Sequence, residues 1–263
     1  MDTNEYSYKM MKRFFNLALV ATVAMMMASC MSINLGENGG VDKTPTQVTG
    51  INQVTTMNQF DEVEIGGAFK VIYEQSSGNY SVRIEASEQA LKEMTVYVKD
   101  GQLRIRQAVK KPTVSFKNVK VYVTSPDIKR VDLAGSGVFT ASNPVVSSEF
   151  IADLAGSGQI MLVQMTCDKA VLDIAGSGNI EFGKLDVKTS VKADIAGSGD
   201  INLGGMTCAK FNIDIAGSGN VNCDNITADD VHVDIAGSGD VNLKGAVKHH
   251  TKDVAGSGKV NIN

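Results

Sequence analysis

One tetrapeptide, Ala-Gly-Ser-Gly, limits the fold of this chain more than any other feature, because it occurs seven times. Its alanines are Ala134, Ala155, Ala175, Ala196, Ala216, Ala236 and Ala255, spaced by 21, 20, 21, 20, 20 and 19 residues. A period near 20 held over seven copies is the mark of a solenoid, in which each unit buries its apolar side only against its neighbours. An Asp stands two residues before each alanine, at Asp132, Asp153, Asp173, Asp194, Asp214, Asp234 and Asp253.

The segments flanking the tetrapeptide alternate apolar and polar, the period of a strand with one buried face. Before it, Leu133, Leu154, Ile174, Ile195, Ile215, Ile235 and Val254 form one apolar column, and Val131, Leu172, Ile213 and Val233 a second. After it, Ile160, Ile180, Ile201, Val221, Val241 and Val260 form a third, and Leu162, Phe182, Leu203, Cys223, Leu243 and Ile262 a fourth. The sharp corner between these strands falls on Gly135-Ser136-Gly137, Gly156-Ser157-Gly158, Gly176-Ser177-Gly178, Gly197-Ser198-Gly199, Gly217-Ser218-Gly219, Gly237-Ser238-Gly239 and Gly256-Ser257-Gly258. Two glycines around a small serine suit backbone at positive φ, and the serine hydroxyl is able to satisfy a turn group. Gly204-Gly205, Asn225 and Gly245 mark a second bend in a looser return segment. The pattern predicts an all-β fold: a right-handed parallel β-helix of two main sheets, with about 20 residues per coil and like residues stacked about 4.8 Å apart.

Composition agrees. Of 263 residues 43% are hydrophobic, with 26 Gly, 4 Pro, 3 His and no Trp, and a net charge of −4. These values point away from helical bundles, from nucleic-acid binding and from histidine-based metal or acid–base chemistry. Lys12 and Arg13 precede an apolar run from Phe14 to Met27, which has the length of a signal segment and is too short for a permanent membrane span. It ends in Met27-Ala28-Ser29-Cys30, which resembles a bacterial lipobox, with Met27 where leucine is usual. That likeness makes Cys30 the expected lipid attachment point and residues 1–29 the signal peptide. Residues 30–55, rich in Gly, Asn, Thr and Gln, are the expected tether. Of the other cysteines, Cys167 and Cys208 lie two repeats apart, about 9.5 Å, which is too far for a disulfide. Cys223 falls in an apolar column, and no cysteine has metal-ligand spacing.

Residues 56–126 lack the tetrapeptide but read as strands. Phe60 to Tyr73 alternates around a bend at Gly66-Gly67, Tyr80 to Glu85 alternates, and Asp100-Gly101 joins Met94–Val98 to Leu103–Arg106 as a tight turn. Lys117 to Thr124 is a further strand, and only Glu88 to Glu93 suggests a helical turn. The segment is expected to form irregular first coils and a cap on the 127–263 array, within one domain from 56 to 263. Gly67-Ala68-Phe69-Lys70-Val71, Asp100-Gly101-Gln102-Leu103-Arg104-Ile105 and Val121-Tyr122-Val123-Thr124-Ser125-Pro126-Asp127, followed by the Gly-Ser-Gly array, resemble the auto-transporter adhesin head domain family, the GIN domain. The resemblance implies a β-helix shaped like the pectin lyases without their catalytic residues, and a role in adhesion.

The Asp row is the main candidate for chemistry. With the Ile column inward each Asp faces out, and the expectation is that each is held by its own turn or by water; divalent cations between rungs are the alternative. A calcium β-roll is rejected, because such repeats run near nine residues and the position after the corner varies: Val138, Gln159, Asn179, Asp200, Asn220, Asp240 and Lys259. Adjacent rungs have the spacing of a retaining glycosidase pair, yet the Asp recurs on every coil, whereas catalytic groups break a repeat. The breaks are Glu181, His232 and His249-His250, read as solvated, and the array has no Tyr or Trp for sugar stacking. Asn202, Asn222, Asn242 and Asn261 form a second outward row, expected to hydrogen-bond along the stack. Arg104, Arg106, Lys110, Lys111, Lys117 and Lys120 are read as a solvated strand face. From Asp127 onward 11 Lys/Arg stand against 17 Asp/Glu, a net of −6.

The expected protein is a non-enzymatic, lipid-anchored lipoprotein of the Gram-negative cell envelope and outer membrane, an adhesion or binding module with no cofactor and no metal. Its expected partners are the membrane, through the anchor, and a protein or glycan ligand, with no nucleic acid. A periplasm-facing structural or signalling component and a degenerate polysaccharide-active enzyme are the alternatives.

Overall fold

A computed structural model describes residue 48 and residues 51–108 and 112–263. Its strands are β1 (Val54–Thr56), β2 (Glu62–Gly66), β3 (Lys70–Gln75), β4 (Ser81–Glu85), β5 (Met94–Lys99), β6 (Gln102–Gln107), β7 (Lys120–Ser125), β8 (Arg130–Gly135), β9 (Val138–Ala141), β10 (Val145–Val146), β11 (Glu149–Gly156), β12 (Gln159–Gly176), β13 (Asn179–Gly197), β14 (Asp200–Leu203), β15 (Met206–Gly217), β16 (Asn220–Gly237), β17 (Val241–Gly256) and β18 (Val260–Ile262). A short helix, α1 (Glu88–Lys92), lies between β4 and β5, and Ser87 Oγ caps it by accepting from the Ala90 amide at 3.2 Å. The strands make a β-solenoid of about 7 turns of roughly 20 residues each.

Each coil of the array has three straight runs rather than the two main sheets expected. In β12 the ladder to β13 covers Gln159–Leu162, then Gln164–Cys167, then Lys169–Gly176. Met165 and Cys167 point inward on the middle run and are buried, as are Leu185 with Val187 and Met206 with Cys208 one and two coils on. The return is therefore a ladder of its own, and its alternating Met, Cys, Leu and Val supply the third wall of the core. We call the three walls the post-turn, return and pre-turn faces. Inward volumes complement one another: on the pre-turn face Phe150 is followed by Ala152, Ala170 by Leu172 and Val191 by Ala193, all buried. Phe150 meets Phe182 from the opposite wall edge-on at 6.1 Å.

The Gly-Ser-Gly corner uses its two glycines for different reasons. The first is the one at positive φ, +134° at Gly197 and between +122° and +141° in all seven copies. The second does not need that region. At Gly137 an added Cβ would lie 2.8 Å from the Phe69 carbonyl oxygen, and at Gly158 2.6 Å from that of Gly137, so the residue is glycine to admit the coil before it. Corners are stitched through the serine amide, which donates to the first glycine carbonyl of the preceding coil: Ser177 to Gly156, Ser198 to Gly176, Ser218 to Gly197 and Ser238 to Gly217, each at 2.8 Å.

Residues 54–141 stack out of chain order. β2 pairs in parallel with β6 on one side and β8 on the other, and β3 likewise with β7 and β9. The turn 62–75 is thus sandwiched between the later turns 102–125 and 130–141. This places Val63, Ile65, Phe69 and Val71 among the fully buried residues. Beyond β6 and β7 the chain reverses: β5 runs antiparallel to β6, β4 antiparallel to β7, and β1 antiparallel to β4. The β5–β6 turn is Asp100-Gly101 with φ of +54° and +78°, the geometry of a tight hairpin. On β3 Tyr73 Oη meets Ser125 Oγ of β7 at 3.1 Å inside the core, and burial pushes the tyrosine up to about 12.

Candidate functional site

The outward rows are the surfaces a partner would meet, and three of them carry hydrogen-bonding chemistry. On the post-turn face Asn222 Nδ2 donates to Asn202 Oδ1 at 3.0 Å, Asn242 to Asn222 at 3.0 Å and Asn261 to Asn242 at 2.8 Å. The expected asparagine ladder is present, and it has a direction: every amide donates toward the start of the array. A second ladder, not anticipated from sequence, lies just after the corner. Asp200 Oδ1 accepts from the Asn220 amide at 2.9 Å, Asn220 Oδ1 from the Asp240 amide at 2.9 Å, and Asp240 Oδ1 from the Lys259 amide at 2.8 Å. The repeated choice of Asp or Asn at this position was the available signal, since short acceptors next to a turn readily take backbone amides.

Where the asparagine row gives way to Glu181 and Met161, a shallow groove of about 460 Å³ opens. Its floor is Gly183 and Gly204 at the bend into the return face. A Cβ on Gly183 would lie 2.6 Å from the Val163 carbonyl oxygen, so tight stacking keeps these two rungs without side chains. Val163, 48% exposed, flanks the floor on one side and Asp224, bound to Lys244 at 3.1 Å, on the other. The groove thus joins an apolar lip, bare backbone and hydrogen-bonding side chains over several coils.

The Asp row departs from expectation. The side chains do point away from the core, and Asp132, Asp153, Asp173, Asp194, Asp214, Asp234 and Asp253 pair in register from coil to coil, with Glu64 continuing the row below Asp132. None of them is free in water: Asp194 is buried and the other six are half-buried. Neighbours a rung away on both sides, and the flanking row with Ile151, Val171 and Lys192, cover them, leaving only 5% of Asp194 exposed. Basic side chains from the flanking row take some of them. Arg130 Nε is 2.8 Å from Asp132 and its Nη2 binds Asp153, Lys192 Nζ binds Asp194, and His232 Nε2 is 3.3 Å from Asp234. Glu64 is held by Arg106 at 2.6 Å, and Arg104 lies 3.6 Å away. Burial pushes Asp132 and Asp173 up to about 6, and raises Asp153 and Asp194 as well.

The remaining candidates resolve simply. Arg104, Arg106 and Lys120 engage Glu64 or Glu85 rather than forming an open basic patch, and Lys110 and Lys111 lie outside the described residues. His232 Nδ1 contacts Thr251 Oγ1 at 2.6 Å, a side-chain rung like the others. Cys167, Cys208 and Cys223 are free and buried, and burial pushes their thiols up to about 11, 12 and 11, which makes them unreactive. Cys30 lies outside the described residues. Among the described residues no group of three His, Cys, Asp or Glu has the arrangement to hold a metal ion, and no helix is long and apolar enough to cross a membrane.

With this geometry, comparison is informative. The profile of the family described as "Putative auto-transporter adhesin, head GIN domain" matches residues 59–184 and 168–263. The chain belongs to this family. A "putative adhesin" of Bacteroides fragilis is 21% identical and superposes with a TM-score of 0.73, over 85% of this chain and 100% of that one. A "putative lipid binding protein" of Parabacteroides distasonis is 25% identical, with a TM-score of 0.65 over 84% and 98% of the two chains. A "putative adhesin" of Parabacteroides merdae is 23% identical, with a TM-score of 0.65 over 84% and 97%. No curated protein matches. These likenesses establish for the GIN-domain chain the same solenoid.

Proposed function

We propose that this GIN-domain chain is a lipid-anchored, non-enzymatic adhesion module of the outer membrane. Cys30 carries the lipid, and the solenoid presents its outer rows to a protein or glycan; the tether is shorter than the 30–55 expected, because Val48 is buried with its amide bonded to the Val96 carbonyl and Val54–Thr56 pairs with β4. The observation that carries this reading is the continuity of the rows. Carboxylates recur on every coil of the pre-turn face instead of converging on one scissile bond, and the groove that interrupts the post-turn face brings Glu181 no facing acid partner on its row. Long flat rows with an apolar lip beside hydrogen-bonding groups suit contact with a partner along the stack. The family and the adhesin names of its structural neighbours support the same reading.

The test is antibody or protease access to the solenoid on intact cells, with permeabilised cells as control, for the chain and for Cys30→Ser. Signal on intact cells, lost to the soluble fraction in Cys30→Ser, is the expected result. Signal only after permeabilisation removes the adhesion reading, and membrane retention of Cys30→Ser removes the lipid anchor.

A further inference from the structure

Carboxylates accept hydrogen bonds and cannot donate them, so two facing carboxylates bond only through a proton. In the pre-turn row Asp132 stands in register with Asp153, Asp153 with Asp173, and Asp194 with Asp214, on adjacent rungs of the same outward face, and the carboxyl groups of each pair lie within hydrogen-bonding reach of one another. Asp173 Oδ1 and Asp194 Oδ1 are buried and have no hydrogen-bond partner. Basic side chains are fewer than carboxylates. Arg130 on β8 serves Asp132 and Asp153, Lys192 on β13 serves Asp194, and His232 on β16 contacts Asp234. β11 and β12 supply Ile151 and Val171 at the equivalent positions, beside Asp153 and Asp173. From the far side β2 adds Glu62 and Glu64, and β6 adds Arg104 and Arg106, which are engaged by Glu64. β17 continues the row with Asp253.

We propose that the run Asp132–Asp153–Asp173 and the pair Asp194–Asp214 hold shared protons between neighbouring carboxyl groups, making the pre-turn face a pH-responsive element that is tightest under mildly acidic conditions. As the protons leave, like charges one rung apart meet across half-buried positions and this face loosens. The burial-raised values of Asp132 and Asp173, about 6, agree in direction. The sign follows from linkage. An Asp in the unfolded chain titrates near 4, so between about pH 4 and 6 the folded state binds more protons than the unfolded state, and stability falls as pH rises through that window.

The experiment is a carboxyl ¹³C titration of the aspartates in the full chain, paired with thermal unfolding at pH 5 and pH 7.5 of the chain and of Asp173→Asn, whose neutral side chain replaces a carboxyl with an amide donor. Midpoints well above 5 for Asp132 and Asp173 are expected. Tm should drop by about 3 °C or more from pH 5 to 7.5, with a smaller drop in the variant. Midpoints at 4 or below overturn the proposal, as do parallel Tm curves for the two proteins. The titration of the unaltered chain decides the matter even if Asp173→Asn fails to fold.

Discussion

At the β6–β7 end the parallel stack stops because the chain turns round, with β5 and β4 laid antiparallel over the last coil. At the β17–β18 end strand direction never changes, and the inward columns change instead. His250 falls in register with the buried Val231, and Lys252 with the buried Val233. Both are exposed, and Lys252 Nζ reaches over the coil to the Val260 carbonyl at 3.5 Å. Among the described residues β17 pairs with β16 over its length and with β18 only at Val241–Leu243. One end is closed by the backbone. Among the described residues the other presents an unpaired strand edge, and Lys252 makes it a poor template by placing charge where a further coil would need an apolar side chain. A repeat can thus be terminated by topology or by a few side chains, and the two kinds of end should respond differently to mutation.

The largest effect is expected inside the stack. In Gly197→Val the new side chain combines an unfavourable φ of +134° with collision against the Gly176 carbonyl of the coil before it, and Gly217 packs on it from the coil after. A loss of roughly 4 kcal/mol or failure to fold is expected. Gly256→Val has a similar φ of +141° and a clash with Gly237, but among the described residues it sits on the coil beyond which only β18 is stacked. Fraying there relieves the strain, and a loss of about 1–2 kcal/mol is expected. Chemical denaturation of the two variants side by side is the check. Equal losses would mean that the last coil is as cooperative with the stack as a central one.

Much of this contrast was legible in the residues, for a physical reason. A solenoid repeats its environment, so each inward column is written into the sequence once per turn. Seven Gly-Ser-Gly corners and four apolar columns therefore suffice to specify the coil. The return ladder was harder to see, because chain length varies there: between Asp186 and Ser190 the pairing slips by one residue, which blurs the alternation of Leu185 and Val187 against Met206 and Cys208. The insertion of turn 62–75 between two later turns was not legible, since it depends on pairings such as Val63 with both Leu103 and Val131, which no local pattern encodes. For the Asp row, alternation predicts direction but not coverage. It says that Asp194 points outward, not that Lys192 and two neighbouring aspartates close over it.

The polar end can be turned into the other kind of interface. His250→Val with Lys252→Val continues the apolar columns of Val231 and Val233 onto β17, the edge that the described residues leave unpaired there. The folded chain should gain stability, by about 1 kcal/mol, but should now associate end to end, because an unpaired strand with an apolar inward side invites another. Sedimentation velocity over a range of concentrations is the measurement. A concentration-dependent shift to at least twice the monomer mass is expected for the double variant and no shift for the unaltered chain. A double variant that stays monomeric would show that the edge, not the charge, is what keeps chains apart.

The smallest effect belongs to the asparagine ladder, and it separates the middle of the stack from its end most finely. Asn222 both donates to Asn202 and accepts from Asn242, whereas Asn261 donates to Asn242 and stands at the last rung. Each such bond contributes only about 0.5–1 kcal/mol net, because water satisfies the same groups in the unfolded chain. Asn222→Ala removes two bonds and leaves a donor and an acceptor on its neighbours, so a loss of about 1–2 kcal/mol is expected, against about 0.5 kcal/mol for Asn261→Ala. The ratio carries the information. Since each Nδ2 donates toward the start of the array, the ladder is polarised along one direction, and breaking it at Asn222 should also speed amide exchange at Asn242 and Asn261. Equal losses at the two sites, with exchange unchanged downstream, would reduce the ladder to independent surface contacts.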